Sequence, residues 1–526
     1  MKIITSTVLL FFCLFQLHAQ QWNQLEKVVS PDRTFGDQFG GAIAIQDNIA
    51  VISAPYEWDE IDPATGGGRV YIFERNMSGE WINIQKIGGN DIVFGDNFGN
   101  KVAIAGDYIA IAAYLEDHNA NGAEFFESAG SVYIFKKQAS GLWQQSQKLV
   151  ASDRDEFDYF GFSIAMSGEY LVVGANEESS DENGNNFLGA SGSAYVFKRS
   201  GNIYSETQKI VATDRSAQSK FGSSVTIDDD FIVVGSPFDT YDIGPGNIED
   251  QAGSAYVFQR NGNDWNQTLK IVPDDRNVPG TTIKQFGTSV SLDAGSLIVG
   301  APSDNSVYFF ENDSNQWSQI EKFINTNSTG VNTTFGFDVS ISGNFAFVGA
   351  PSQQLDASGA NNIADAGAIF LFGRNNGNWA YVNQFDAIHR NNNDRYGTAV
   401  AIDQEYAFGG SPKHRTDVNG QNPQVNAGAT FLIEYDGELG LPSENLNSAI
   451  VLFPNPSHGE LTIELPQKLN VSKIKVTDIL SREVYNTTVI DSTQVSLDLA
   501  LNSGVYIVQF FNENTRLVDS KKIIIK

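Results

Sequence analysis

The residues best suited to chemistry in this chain are oxygen ligands. Asp117-x-Asn119-x-Asn121-Gly122 has the spacing with which a calcium loop begins, because alternate side chains of a tight turn can aim their oxygens at one cation. Asp181 with Asn183, Asp356, and Asp417 with Asn419 are related groups. Their places are ordered. Five residues beyond a small-residue triplet stand Glu60, Asn119, Asp181, Asp242, Asp356 and Asp417, and ten beyond it Thr65, Glu124, Asn186, Asn247, Asn361 and Asn422. On a metal reading, calcium is held by Asp117, Asn119, Asn121, Asp181, Asn183, Asp356, Asp417 and Asn419. On a second reading the same residues build turns, since Asp and Asn bond their own backbone and Gly supplies a positive φ. Even repetition suits turns, whereas one ligand site would break the symmetry.

Catalytic groups are scarce. His118, His389, His414 and His458 show neither metal-ligand nor nucleophile-base spacing, and Gly-x-Ser-x-Gly and His-Glu-x-x-His are absent. The single cysteine, Cys13, falls in an N-terminal apolar stretch that follows Lys2 and ends at Leu17-His18-Ala19, the pattern of an exported precursor cleaved after Ala19. The mature chain then has no thiol, which excludes disulfides, thiolate metal sites and a cysteine nucleophile. With Lys2 gone, 33 of the 34 basic residues remain against 63 acidic ones, a formal charge of −30. Nucleic acid is an unsuitable partner for such a surface. No segment other than the leader approaches the roughly 18 to 20 apolar residues that span a bilayer.

The elements that position these loops repeat. Phe39-Gly40, Phe98-Gly99, Phe160-Gly161, Phe221-Gly222, Phe286-Gly287, Phe335-Gly336 and Tyr396-Gly397 each precede a small triplet, and the triplet always starts 14 positions after the aromatic. Ser53-Ala54-Pro55, Gly300-Ala301-Pro302 and Gly349-Ala350-Pro351 are examples. Alternation between anchor and triplet predicts a strand, a short turn and a second strand. A third strand follows, such as Gly130-Ser-Val-Tyr133, and then a fourth opened by Trp or Tyr with Lys five residues later, as in Trp143 and Lys148. Each repeat is a four-stranded sheet, the unit of a propeller. The sixth copy has Gln384 in place of the lysine, and the seventh lacks its fourth strand; Trp22 and Lys27 carry that pattern at the mature N-terminus. Pairing residues 22–28 with the last blade closes the ring and removes a sheet edge. Phe39, Phe98 and their equivalents fill the wedges between sheets. Lys101 and Asp338 occupy small positions of first strands, either facing a central channel or as solvated strand ends.

These repeats resemble the Phe-Gly/Gly-Ala-Pro (FG-GAP) family, known from the head of integrin α chains and from bacterial surface proteins, over residues 21–436. The resemblance implies an all-β, seven-bladed β-propeller at 20–436. In the integrin version the first hairpin carries a calcium loop. Here that turn is only Gly106-Asp107, Gly168-Glu169 or Gly343-Asn344, so those calcium sites are not carried over.

Residues 437–450 read as a linker, and 451–526 as a small β-sandwich. Leu452-Phe453-Pro454-Asn455-Pro456 and Gly504-Val-Tyr-Ile-Val508 are similar to the C-terminal sorting domain of the Bacteroidetes type IX secretion route. That resemblance implies the type IX machinery as a partner and a secreted or outer-surface location. In a four-stranded blade, the loop from second to third strand and the connection to the next blade emerge on one face. The former holds 15 residues in five blades, 12 in the first and 2 in the fifth. Function is expected on this decorated face. Two readings follow: a non-enzymatic binding or adhesion module for a glycan or extracellular protein, and a hydrolase or lyase built from residues that break the repeat.

Overall fold

The computed structural model describes residues 22–58, 67–240, 251–276, 284–328, 330–435 and parts of 451–525. The leader, the 437–450 linker, Glu60, Thr65, Asp242, Asn247 and His458 lie outside the described residues. Two compact units divide the chain, Asn23–Glu434 and one containing Tyr435–Lys526.

The first unit contains seven four-stranded antiparallel sheets. In six of them the strands follow chain order. The seventh takes Ala399–Asp403, Tyr406–Ser411 and Ala429–Tyr435, and completes itself with Trp22–Val28 from the other end of the chain. Second strands such as Tyr108–Ala113 and Tyr170–Ala175 are buried at every position, because both of their faces meet neighbouring sheets. The apolar core therefore lies between blades: Ile134 of the second blade packs in one cluster with Leu171 and Val173 of the third.

Each anchor aromatic wedges its own blade and stitches it to the previous one. Phe160 is fully buried, with its ring edge-on to Tyr195 at 5.4 Å and Phe197 at 5.9 Å. Its N–H donates to the Ala129 carbonyl of the preceding blade at 2.9 Å. Phe221 does the same to Ser191 at 3.0 Å, Tyr396 to Ala366 at 3.0 Å, and Phe39 to Ala427 at 2.9 Å, the last across the closing seam. Backbones come this close only because glycine precedes the third strand. A Cβ on Gly192, whose φ is +80°, would sit 1.9 Å from the Phe221 carbonyl oxygen.

Outer strands are joined by glutamines. Gln147 accepts the Tyr204 N–H at 3.0 Å and donates to its carbonyl at 2.8 Å, and Gln208 clamps Trp265 at 2.7 and 2.8 Å. Inner hairpins are linked around the axis, where Asp228 accepts the Ala294 N–H at 2.7 Å and Asp293 that of Gly343 at 2.6 Å. Asp338 is half-buried and lies within electrostatic reach of Lys101 of the second blade, the other charged residue at a small first-strand position. It accepts the Val400 N–H of the next blade at 2.8 Å, and burial holds its carboxyl above the usual range.

In the C-terminal unit, Val451–Phe453, Glu460–Glu464 and Gln494–Asp498 form one sheet, and Glu483–Thr488, Val471–Asp478, Gly504–Asn512 and Leu517–Ile525 another. Leu461, Ile463, Ile474, Val476, Val508 and Phe510 fill one core from both.

Replacing Gly192 by Ala is expected to lower stability by about 2 kcal/mol or more, because the Cβ meets backbone that cannot yield. Gly184→Ala, at φ +72° with nothing within 4 Å, is expected to cost only about 1 kcal/mol. Urea midpoints of the two variants check the difference.

Candidate functional site

The loop face is built on a buried cation. In the first five blades the lysine five residues after the outer-strand aromatic turns under the loop of its own blade and meets two carboxylates, at least one of which also accepts a tyrosine hydroxyl. In the second blade, Lys148 Nζ lies 2.7 Å from Asp91 and 3.0 Å from Glu116. The Tyr133 hydroxyl donates to Asp91 at 2.9 Å and the Ser131 hydroxyl to Glu116 at 2.7 Å. The third blade repeats this with Lys209, Asp153 at 2.7 Å and Glu178 at 2.9 Å, and the fourth with Lys270, Asp214 at 2.6 Å and Asp239 at 2.7 Å. Lys86 pairs with Asp32 and Glu57 in the first blade. In the fifth, Lys322 and the added Lys284 share Asp275 at 2.7 and 2.8 Å.

The lysine and the second acid of the second blade are inside the protein, with the Lys148 and Glu116 side chains 4% and 1% exposed, whereas Asp91 at 43% reaches the surface. Burial pushes the Asp91 carboxyl up, but the hydrogen bonds from Lys148 and Tyr133 outweigh it and leave the group below its usual range. Burial and the two carboxylates push the Tyr133 hydroxyl far up, so it keeps its proton and donates it to Asp91. The first carboxylate of each set stands in the connection that leads into the blade, and the second lies four residues after the start of the triplet. The sixth blade removes every charge together. Phe370 replaces the tyrosine, Gln384 the lysine, Asn327 and Gln353 the acids, and the Asn327 amide donates to the Gln384 carbonyl oxygen at 2.9 Å. The sequence signal for this cluster was present in the recurring lysine and the acid at a fixed offset, but not in either one alone.

The turn aspartates point inward to their own loops. Asp181 accepts the N–H groups of Asn183 and Asn185, both at 2.9 Å, and also bonds the Asn186 side-chain amide. Asp417 takes Asn419 and Gln421 at 2.9 Å and the Asn422 amide at 2.7 Å. Asp356 holds the Ser358 hydroxyl at 2.7 Å and the Ala360 N–H at 3.1 Å, and the hydrogen bonds from Ser358 and Asn361 keep its carboxyl below the usual range. Asn119 accepts the N–H groups of Asn121 and Ala123 at 3.3 and 3.0 Å, Asn121 accepts Ala123 at 3.1 Å, and Asp117 accepts Ser128 at 2.7 Å. The eight residues expected to hold calcium thus lie in four separate loops. The side-chain oxygens of Asp117, Asn119, Asn121, Asp181, Asp356 and Asp417 already receive N–H or O–H donors, and among the described residues no three Asp, Glu or His side chains converge as a metal set would. As placed, this donor set does not fit calcium.

Arginines that sequence reasoning passed over fix the same loops from the next blade. Arg215 donates to the Ser179 carbonyl at 2.7 Å and to Asn186 at 3.0 Å, Arg390 to Gln354 at 2.9 Å, and Arg33 to Arg415 at 2.7 Å. An open cleft of about 1300 Å³ beside the third loop is walled by Asp181, Glu182, Asp214 and Arg215, all of them engaged in hydrogen bonds or ion pairs of this scaffold. The exposed surface of this face also carries aromatic rings. Phe35, Phe94 and Phe157 in connections between blades, and Phe125 and Phe187 in loops after second strands, are 45% to 78% exposed.

Lys148→Met is expected to cost about 3–5 kcal/mol, because Glu116 stays buried without its cation. Converting the whole set to the sixth-blade pattern, with Lys148→Gln, Asp91→Asn, Glu116→Gln and Tyr133→Phe together, is expected to recover most of that loss in denaturant melts.

Comparison with known proteins agrees with this repeat architecture. Residues 22–73, 81–135, 143–197 and 204–258 match the FG-GAP repeat, and 451–526 match the secretion system C-terminal sorting domain. No curated protein matches the chain. Among solved structures it is similar to a periplasmic gluconolactonase of Pseudomonas aeruginosa, at 13% identity, TM-score 0.43, over 70% of this chain and 98% of that one. A protein from Lactobacillus plantarum is similar at 10% identity, TM-score 0.41, over 74% and 99%. Neither likeness is close enough to carry an activity across. The sorting domain marks the protein for secretion to the cell surface or beyond, and among the described residues no helix is long and apolar enough to cross a membrane. The chain is an FG-GAP repeat β-propeller protein with a type IX secretion sorting domain at its C-terminus.

Proposed function

We propose that this secreted propeller is a non-enzymatic binding or adhesion module that engages an extracellular glycan or protein through its loop-bearing face. One observation carries the reading: five phenylalanine rings, Phe35, Phe94, Phe125, Phe157 and Phe187, stand in the loops of that face with half or more of their surface in water for all but Phe157. Large exposed apolar groups cost solubility and mark places where a partner removes them from water. The polar groups of the same loops are spent on their own fold, so they lend rigidity, and a rigid surface loses little entropy on binding. The hydrolase reading would need a repeat-breaking polar cluster open to substrate. The cluster that departs furthest from the repeat, Lys27, His389, His414 and Asp394, has His414 and Asp394 fully buried.

The test is an array of glycans and extracellular proteins probed with the protein and with a Phe35→Ser, Phe94→Ser, Phe157→Ser variant. A ligand is expected whose affinity falls at least about tenfold in the variant while the melting temperature is unchanged. Undiminished binding by the variant, or turnover of an arrayed glycan, would count against the reading.

A further inference from the structure

Five blades pair the buried lysine with carboxylates and the sixth deletes it; the seventh keeps the lysine and replaces both acids with histidine. Lys27 belongs to the closing strand Trp22–Val28 and is 5% exposed. Its Nζ lies 3.4 Å from His389 Nδ1, 3.3 Å from His414 Nε2 and 3.0 Å from Thr416 Oγ1. An ammonium has three hydrogens, and here it finds three acceptors. Two of them are acceptors only while the imidazoles are neutral. His414 Nδ1 stands 2.9 Å from the buried Asp394 carboxylate, which places its hydrogen on Nδ1 and leaves the Nε2 lone pair facing Lys27 and the Thr416 hydroxyl, 3.1 Å away. His389 receives Lys27 at Nδ1, so its hydrogen belongs on Nε2.

A proton arriving at either acceptor nitrogen deletes a hydrogen bond and sets a second cation about 3.3 to 3.4 Å from the first. The surrounding charges do not cancel this. Asp394 balances one positive charge at His414, Asp417 has its oxygens turned to its own loop, and Arg33 on the following connection adds another cation. In the other lysine blades the same two positions supply negative charge, and the ammonium is attracted where here it would be repelled.

We propose that His389 and His414 form an acid-labile latch on the ring: their protonation expels Lys27 and frees the strand Trp22–Val28 from the seventh blade. Burial, partly countered by Asp417 and Asp394 and reinforced by Arg33, holds Lys27 down at about 8. A lysine depressed in the folded state leaves the unfolded strand holding more protons between that value and its ordinary one, so closure strengthens as pH rises through this window. A proton taken up by Lys27 and one taken up at an acceptor nitrogen therefore act on the seam in the same direction. Release would uncover the outer edge of Ala429–Tyr435, a row of backbone groups able to take up another strand.

Hydrogen exchange read by mass spectrometry at about pH 7.5 and about pH 5.5, corrected for intrinsic rates, tests the latch. Protection of residues 22–28 is expected to fall at least about tenfold on acidification, with residues 81–87, whose Lys86 faces carboxylates, unchanged. In His389→Asp, His414→Glu, and separately in Lys27→Met, the acid-induced loss at 22–28 is expected to vanish. An unchanged closing strand, an equal loss at 81–87, or a Lys27→Met protein that still opens in acid would overturn the proposal. Should the double variant fail to fold, Lys27→Met decides alone.

Discussion

A lysine ammonium placed under a protein surface must find acceptors for three hydrogens, and this requirement organises the loop face of the propeller. In five blades the acceptors are carboxylates drawn from two places: the connection entering the blade and the residue just beyond the triplet. Tyrosine and serine hydroxyls fill the remaining oxygen positions, so the loop, the inter-blade connection and the third strand are tied at one point. The sixth blade shows how tightly the parts depend on each other. Losing the lysine there coincides with losing both acids and the tyrosine hydroxyl, because any one left behind would be an unsatisfied buried group.

This dependence bears on what the loops can offer a ligand. Asp181, Asp356 and Asp417 each hold two or more donors of their own turn, and Arg33, Arg215 and Arg390 occupy loop carbonyls from the next blade. Polar residues that look like a ligand set along the chain therefore act as scaffold. What they hold out is apolar: Phe94 at 75% exposure and Phe187 at 78%. The proposed recognition outside the cell, where the sorting domain sends the protein, rests on this rigid platform with projecting rings.

The propeller was legible in the sequence because its signals are local and periodic. Phe39 to Tyr396 recur with a fixed distance to the triplet, and Trp22 with Lys27 displays the missing outer strand in miniature. Buried packing selects residue type at every copy, so the pattern survives. The polar clusters were harder to read, since Lys148, Asp91 and Glu116 come from three segments and the second acid changes between Glu and Asp from copy to copy. Their trace was the joint change to Gln384, Gln353, Asn327 and Phe370. The turn residues were visible but ambiguous, because an Asp-x-Asn-x-Asn-Gly spacing serves a turn as well as a cation. That Asp338 accepts a backbone N–H was not legible, since nothing in its own strand reveals a donor on the next blade.

If buried lysines and backbone donors, and not bound cations, hold the loop face, stability must be indifferent to divalent metal. Thermal melts of the protein with excess chelator and with millimolar calcium test this directly, because any ion bound only by the folded state raises the midpoint. Superimposable curves are predicted. A midpoint higher by about 5 °C or more in calcium would contradict it and return the turn aspartates to the role of ligands.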